Sequence, residues 1–224
     1  MDNEAVWTAV DNYIGEHLIG SDPVLAAALE ANAEAGLPAI DVAPNQGKLL
    51  HLLARMCGAR RILEVGTLGG YSTVWLARAL PSDGRLITLE VNAKHAAVAT
   101  ANIERAGFGR QVTVRLGPAL ESLAQLHQSG EEPFDFIFID ADKPNSPPYV
   151  EWAIRLSRPG TVIVVDNVIR EGAIVDSEDL DPSVQGSRRL FEMLAAEPRL
   201  DATALQTVGT KGHDGFCIAL VKAM

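Results

Sequence analysis

The sequence predicts a doubly wound α/β fold. Its sheet has seven strands, mostly parallel, with helices on both faces and a closing hairpin that makes one strand antiparallel. Three observations carry that prediction. From Arg60 onward, short apolar runs alternate with helical patterns, the order expected of a parallel sheet built from crossovers. The run Phe134-Asp135-Phe136-Ile137-Phe138-Ile139 is mostly apolar along its length, as a strand buried on both faces is. The last two apolar runs, residues 202–208 and 216–221, flank only the turn Gly209–Gly215, too short for a crossover, so they pair antiparallel.

Taken in order, residues 3–57 read as helical, a cover belonging to the same single domain (1–224) as the sheet core at 58–224. Apolar positions in Ala5-Val6, Ala9-Val10, Tyr13-Ile14 and His17-Leu18 recur at a spacing near 3.6. Ser21-Asp22-Pro23 supplies a capping residue and a proline for the next helix, which Gly36-Leu37-Pro38 ends. Ala43-Pro44-Asn45 opens a third, with Leu49, Leu50, Leu52 and Leu53 as its apolar residues. Strands are expected at 61–65, 85–89, 111–116, 134–139 and 161–165, with helices at 73–80, 92–106, from Ala119 to His127, and at about 147–157. A long connection then holds a helix at 182–195 before the hairpin.

With 224 residues the chain is long enough for such a sheet with both faces covered. A net charge of −10 leaves no basic stripe for phosphates and argues against a nucleic-acid partner. No apolar run approaches the length of a membrane span, and the acidic start Met1-Asp2-Asn3-Glu4 lacks the apolar core of a secretory signal. Cys57 and Cys217 form no CxxC pair or disulfide framework, which suits a reducing cytoplasm.

Chemistry concentrates at two strand ends. The run at 134–139 breaks into Asp140, Asp142 and Lys143, and the run at 161–165 ends in Asp166-Asn167. Ligands of open α/β sheets bind beyond the carboxyl ends of the strands. If the two strands are close, Asp140, Asp166 and Asn167 converge. Oxygen donors without sulfur or imidazole suit a hard divalent cation such as Mg²⁺ rather than zinc. Lys143 would stand beside that ion. Taken singly, each aspartate is equally a helix N-cap, and Lys143 has a second available partner in Asp142.

The loop Gly66-Thr67-Leu68-Gly69-Gly70 follows the first strand, and Glu90 ends the second, where a carboxylate can accept ribose hydroxyls. Leu68 occupies the position where dinucleotide binding wants a glycine for the pyrophosphate. Its presence favours a nucleoside without phosphates, such as S-adenosylmethionine. A tight structural turn is the alternative explanation of these glycines.

Together these residues resemble one family, the cation-dependent O-methyltransferases of the catechol and caffeoyl-coenzyme A type, in their bacterial branch. The resemblance runs from about Ile40 to the C-terminus. It is carried by Val42-Ala43-Pro44-Asn45-Gln46-Gly47, Glu64-Val65-Gly66-Thr67 with Gly70-Tyr71-Ser72, Glu90, Gly117-Pro118-Ala119, Ile139-Asp140-Ala141-Asp142-Lys143 and Asp166-Asn167. It implies a Rossmann-like class I fold, S-adenosylmethionine as methyl donor, and Mg²⁺ (or Mn²⁺ or Ca²⁺) held by Asp140, Asp166 and Asn167. It implies that Val42, Glu64, Gly66, Thr67, Ser72 and Asp140 face the methionine end of the donor, Glu90 the ribose and Ala119 the adenine. It makes Lys143 the base, working with Asp140 on a small catechol-like aromatic, and it implies a homodimer. Position 69, often threonine in relatives, is glycine here, which predicts a slightly looser loop.

The chemistry is consistent with those roles. A phenol, with a pKa near ~10, is a poor nucleophile at neutral pH. A divalent ion chelated by adjacent hydroxyls lowers that value, and an amine takes the proton where a neighbouring dication and partial burial keep it neutral. Two other readings fit part of the pattern: a nicotinamide-dependent oxidoreductase on a similar sheet, and a non-catalytic nucleoside-binding module. Asp135 reads as a polar strand start, and Tyr149 and Trp152 as packing residues. His17, His51, His95, His127 and His213 share no ligand spacing; His213 alone lies in a turn that could reach the cleft or a second copy.

Overall fold

The computed structural model describes residues 3–223, so Met1-Asp2 of the acidic start lie outside the described residues. Seven strands form one sheet: β1 (Arg61–Val65), β2 (Arg85–Glu90), β3 (Val112–Leu116), β4 (Phe134–Ile139), β5 (Ser157–Asp166), β6 (Leu200–Gly209) and β7 (Gly212–Val221), in the order β3-β2-β1-β4-β5-β7-β6. The first five strands are parallel, and β7 runs antiparallel to both its neighbours. The helices are α1 (Asn3–Ile14), α2 (Pro23–Glu34), α3 (Pro44–Met56), α4 (Tyr71–Ala77), α5 (Ala93–Arg105), α6 (Ala119–Gln128), α7 (Ser146–Arg155) and α8 (Pro182–Ala196). No helix among the described residues is long and apolar enough to cross a membrane.

The central strand β4 shows why the sheet is covered twice. Phe136 and Phe138 pack with Leu50, Val74 and Trp75 of α3 and α4, while Ile137 and Ile139 pack with Leu123, Val150 and Leu190 of α6, α7 and α8. All six of its residues are buried, including Asp135. That aspartate does more than begin the strand. It accepts from the amides of Arg60 and Arg61 at 2.8 and 3.0 Å and from the Arg158 guanidinium, fastening β4 between β1 and β5 at the end remote from the site. Backbone donors and the Arg158 charge outweigh its burial and hold its carboxyl below the usual value.

The hairpin differs from the expected seven-residue turn. The ladder continues to Gly209↔Gly212, leaving only Thr210-Lys211 between, because Gly212 takes φ +82° and closes a tight turn. His213 is therefore a strand residue opposite Val208, 3.0 Å from Gln206 Oε1. Helix α1 has no buried residue and is held by Asp11, which accepts from Asn45 Nδ2 and from Thr210 N, both at 2.8 Å.

Candidate active site

Strands β4 and β5 pair in parallel register with Ile139 opposite Val165. The next residues, Asp140 and Asp166, therefore leave the sheet side by side, on strands ~4.8 Å apart. Asp166 is 4% exposed; its Oδ2 accepts from Gln46 Nε2 at 2.6 Å and its Oδ1 from Asn167 N at 2.8 Å. Both donors are neutral. Burial, and then the like charge of Asp140, push the Asp166 carboxyl well above the usual carboxylate range. Asn167 takes φ +54°, an uncommon conformation for a residue other than glycine and one that asparagine tolerates better than most.

Lys143 chooses between its two candidate partners. Its Nζ donates to Asp140 Oδ1 at 2.8 Å, with only 11% of the side chain exposed. Asp142 is engaged instead by the Tyr149 hydroxyl and by Asn145 Nδ2, both at 2.5 Å. Burial and the Asp142 charge push the Tyr149 phenol upward, so it stays a donor. The lysine backbone is braced from behind: a Cβ on Gly186 of α8 would lie 2.2 Å from the Lys143 carbonyl oxygen.

Two carboxylates, one ammonium and an amide share this end of the sheet, an excess of one negative charge with Asp166 buried. That donor set fits a hard divalent cation. Among the described residues no three His, Cys, Asp or Glu side chains gather as a metal group, so Asn167 would have to supply the third ligand.

A cavity of about 650 Å³ opens beside these residues, and Val42, Gly66, Thr67, Ser72, Glu90, Ala119, Asp140 and Lys143 all line it. Glu64 does not. It is fully buried behind the wall, accepting from Ser72 Oγ at 2.6 Å, Thr73 Oγ1 at 2.5 Å and Thr88 Oγ1 at 2.7 Å. Burial pushes its carboxyl up to about 7 despite those three hydroxyls. Its link to the cavity runs through Ser72. Glu90 accepts from the amides of Thr67 at 3.3 Å, Leu68 at 2.8 Å and Asn92 at 2.9 Å. Three of the roughly four acceptor positions of a carboxylate are thus used by the loops, and the remainder faces the cavity.

The glycine loop has structural reasons of its own. At Gly66, with φ +99°, a Cβ would stand 2.0 Å from the Asp140 carbonyl oxygen, so its first task is to let β1 pass β4. Gly66→Ala is expected to cost on the order of 3 kcal/mol in a denaturant titration, from overpacking plus the left-handed backbone. Leu68 takes φ +49°, held there by the Glu90 carboxylate. Gly69 does not loosen the loop: Asn32 Oδ1 lies 1.8 Å from where its Cβ would be, and Asn102 Nδ2 donates to its carbonyl at 2.8 Å.

A second cavity of about 250 Å³ lies on the far side of Asp166 and Asn167, between Gln46, Leu49, Lys211 and Phe216. Asn167 borders both. Gln46 and Tyr149 are the site residues that sequence reasoning did not assign. Gln46 stands inside the Val42–Gly47 run, but its partner is 120 positions away. Neither His213 nor Trp152 lines either cavity.

Comparison with known proteins follows the geometry. A family model described as O-methyltransferase matches residues 16–220. The chain is 56% identical over 220 residues to a catechol O-methyltransferase of Niastella koreensis, covering 98% of this chain and 100% of that one. It is 52% identical over 222 residues to a catechol O-methyltransferase of Mycobacterium tuberculosis, covering 99% of each. It superposes on the solved structure of an O-methyltransferase from Bacillus cereus in complex with S-adenosylhomocysteine (SAH), with a TM-score of 0.96, 60% identity, and 97% and 99% of the two chains covered.

Proposed function

The chain belongs to the O-methyltransferase family, and from that premise we propose that it methylates a hydroxyl of a small vicinal dihydroxy aromatic with the help of a divalent cation. It is an S-adenosylmethionine-dependent O-methyltransferase. The oxidoreductase and non-catalytic alternatives fall with that membership. The acceptor class takes its support from the names of the relatives at 56% and 52% identity. The observation that carries the metal reading is the placing of buried Asp166 beside Asp140, with a single ammonium to answer both.

Asp140, Asp166 and the Asn167 amide oxygen would hold the cation, which supplies Lewis acidity and a template for two adjacent oxygens. Gln46 and the Asn167 amide fix the Asp166 carboxylate. Asp140 holds Lys143 Nζ at the cavity wall, where the nitrogen can take the proton of the acceptor hydroxyl. Gly66, Thr67, Ser72, Glu90 and Ala119 line the space in which the donor would be held, its methyl group turned toward that oxygen. The small cavity beyond Asn167, with Leu49 and Phe216 on its walls, is the acceptor side in this reading. A cytoplasmic setting, supported by two free thiols, and a homodimer complete it.

Metal removal tests the proposal. Chelator-treated protein is expected to lose methyl transfer to catechol and to regain it with Mg²⁺ or Mn²⁺, while its affinity for SAH changes little. A full rate in excess chelator would overturn the metal reading, and equal rates on catechol and a monophenol would overturn the acceptor class.

A further inference from the structure

Three polar side chains that the mechanism does not use form a directed chain ending at the large cavity. Arg105 Nη1 donates to Asn102 Oδ1 at 2.8 Å, Asn102 Nδ2 to Asn32 Oδ1 at 3.1 Å, and Asn32 Nδ2 to Asp41 Oδ1 at 2.9 Å. Asn32 and Asn102 are 3% and 2% exposed. Every step points its donor toward the carboxylate, so the bonds polarise one another and favour negative charge on Asp41. Asp41 lines the cavity between Ile40 and Val42. Its second oxygen accepts from no other residue among those described, and it forms no ion pair among them. Lys211, the cation that bears on it, instead donates to the Ala39 carbonyl at 3.1 Å.

We propose that Asp41, held by the Asn32–Asn102 relay, receives the α-ammonium of the methyl donor. The inference rests on the donor assignment above. Of the donor's groups, the sulfonium has to face the acceptor beside Lys143. The ribose hydroxyls are answered by Glu90, and the donor's own carboxylate would be repelled. The ammonium is the group left for a second carboxylate on this wall, and Val42, next in the chain, borders the same space as Gly66 and Ser72. Burial pushes the Asp41 carboxyl upward, as befits an anion without its cation.

Calorimetric titration of the whole chain with SAH, and with the SAH analogue lacking the α-amino group, tests this. Wild type is expected to prefer SAH by about tenfold, and Asp41→Asn, nearly isosteric, to erase that preference by weakening SAH alone. Equal affinity of wild type for the two ligands overturns the proposal without any variant. So does an Asp41→Asn protein that weakens both ligands alike, which would make Asp41 a support of the loop. Wild type that binds neither ligand would remove the donor assignment itself. Wild type that binds SAH beside an unaffected Asp41→Asn variant would remove only the role of Asp41.

Discussion

Asp166→Asn is expected to abolish methyl transfer, by on the order of 10³-fold or more, and at the same time to raise the thermal midpoint of the metal-free protein at pH 8. Both effects come from one side chain. Asp166 is 4% exposed and has only neutral hydrogen-bond donors, from Gln46 and the Asn167 amide. Its folded carboxyl titrates above the ordinary value of 3.8, so below 3.8 both folded and unfolded forms are protonated and the site costs nothing. As pH rises past 3.8 the unfolded chain ionises first, and stability is lost progressively until the folded group ionises too. An amide removes that loss, and Gln46 can turn its own amide to match. The midpoint should rise by several degrees, at about 2–4 °C per kcal/mol for a chain of this size. Scanning calorimetry of both proteins without metal, from pH 4 to 8, measures it. A variant less stable than wild type at pH 8, or one still stabilised by Mg²⁺ as wild type is, would refute the assignment of Asp166 as a ligand.

Lys143→Ala is expected to retain SAH binding and lose about 10²–10⁴ in turnover. The lysine is placed rather than merely present: Nζ lies 2.8 Å from Asp140 Oδ1, and Gly186 lets α8 close against its carbonyl. Removing the amine leaves the donor cavity lined by the same glycine loop and Glu90, which is why binding and turnover should separate. Lys143→Arg sharpens the test, because a guanidinium keeps the charge but cannot accept a proton. Recovery of near-normal turnover by arginine would assign the residue to charge stabilisation and take it out of the base role.

Much of this architecture was legible in local sequence. A strand buried on both faces must be apolar at every position, so β4 announced itself, and the abrupt change to Asp140, Asp142 and Lys143 marked where the sheet meets its ligand. The short connection between the last two strands compelled one antiparallel partner, as β7 is. These features depend on neighbours within a few residues, where periodicity and stereochemistry act directly.

What the chain could not disclose locally are choices among partners that are far apart in sequence. Lys143 had two carboxylates within three positions, and it was Tyr149 and Asn145, by occupying Asp142, that left Asp140 to it. Gln46 reaches Asp166 across 120 positions. Gly66 proved to serve the passage of the Asp140 backbone before any ligand, and Gly69 the side chain of Asn32. The turn length at Gly212 was hidden because polar His213 and Asp214 look like loop residues until their strand is paired with another. Sequence by itself determined which strands exist and where their reactive ends fall, since burial and backbone geometry leave a periodic trace. Which side chains meet at those ends, and which are sealed behind the wall as Glu64 is, was decided only when close packing brought distant segments into contact.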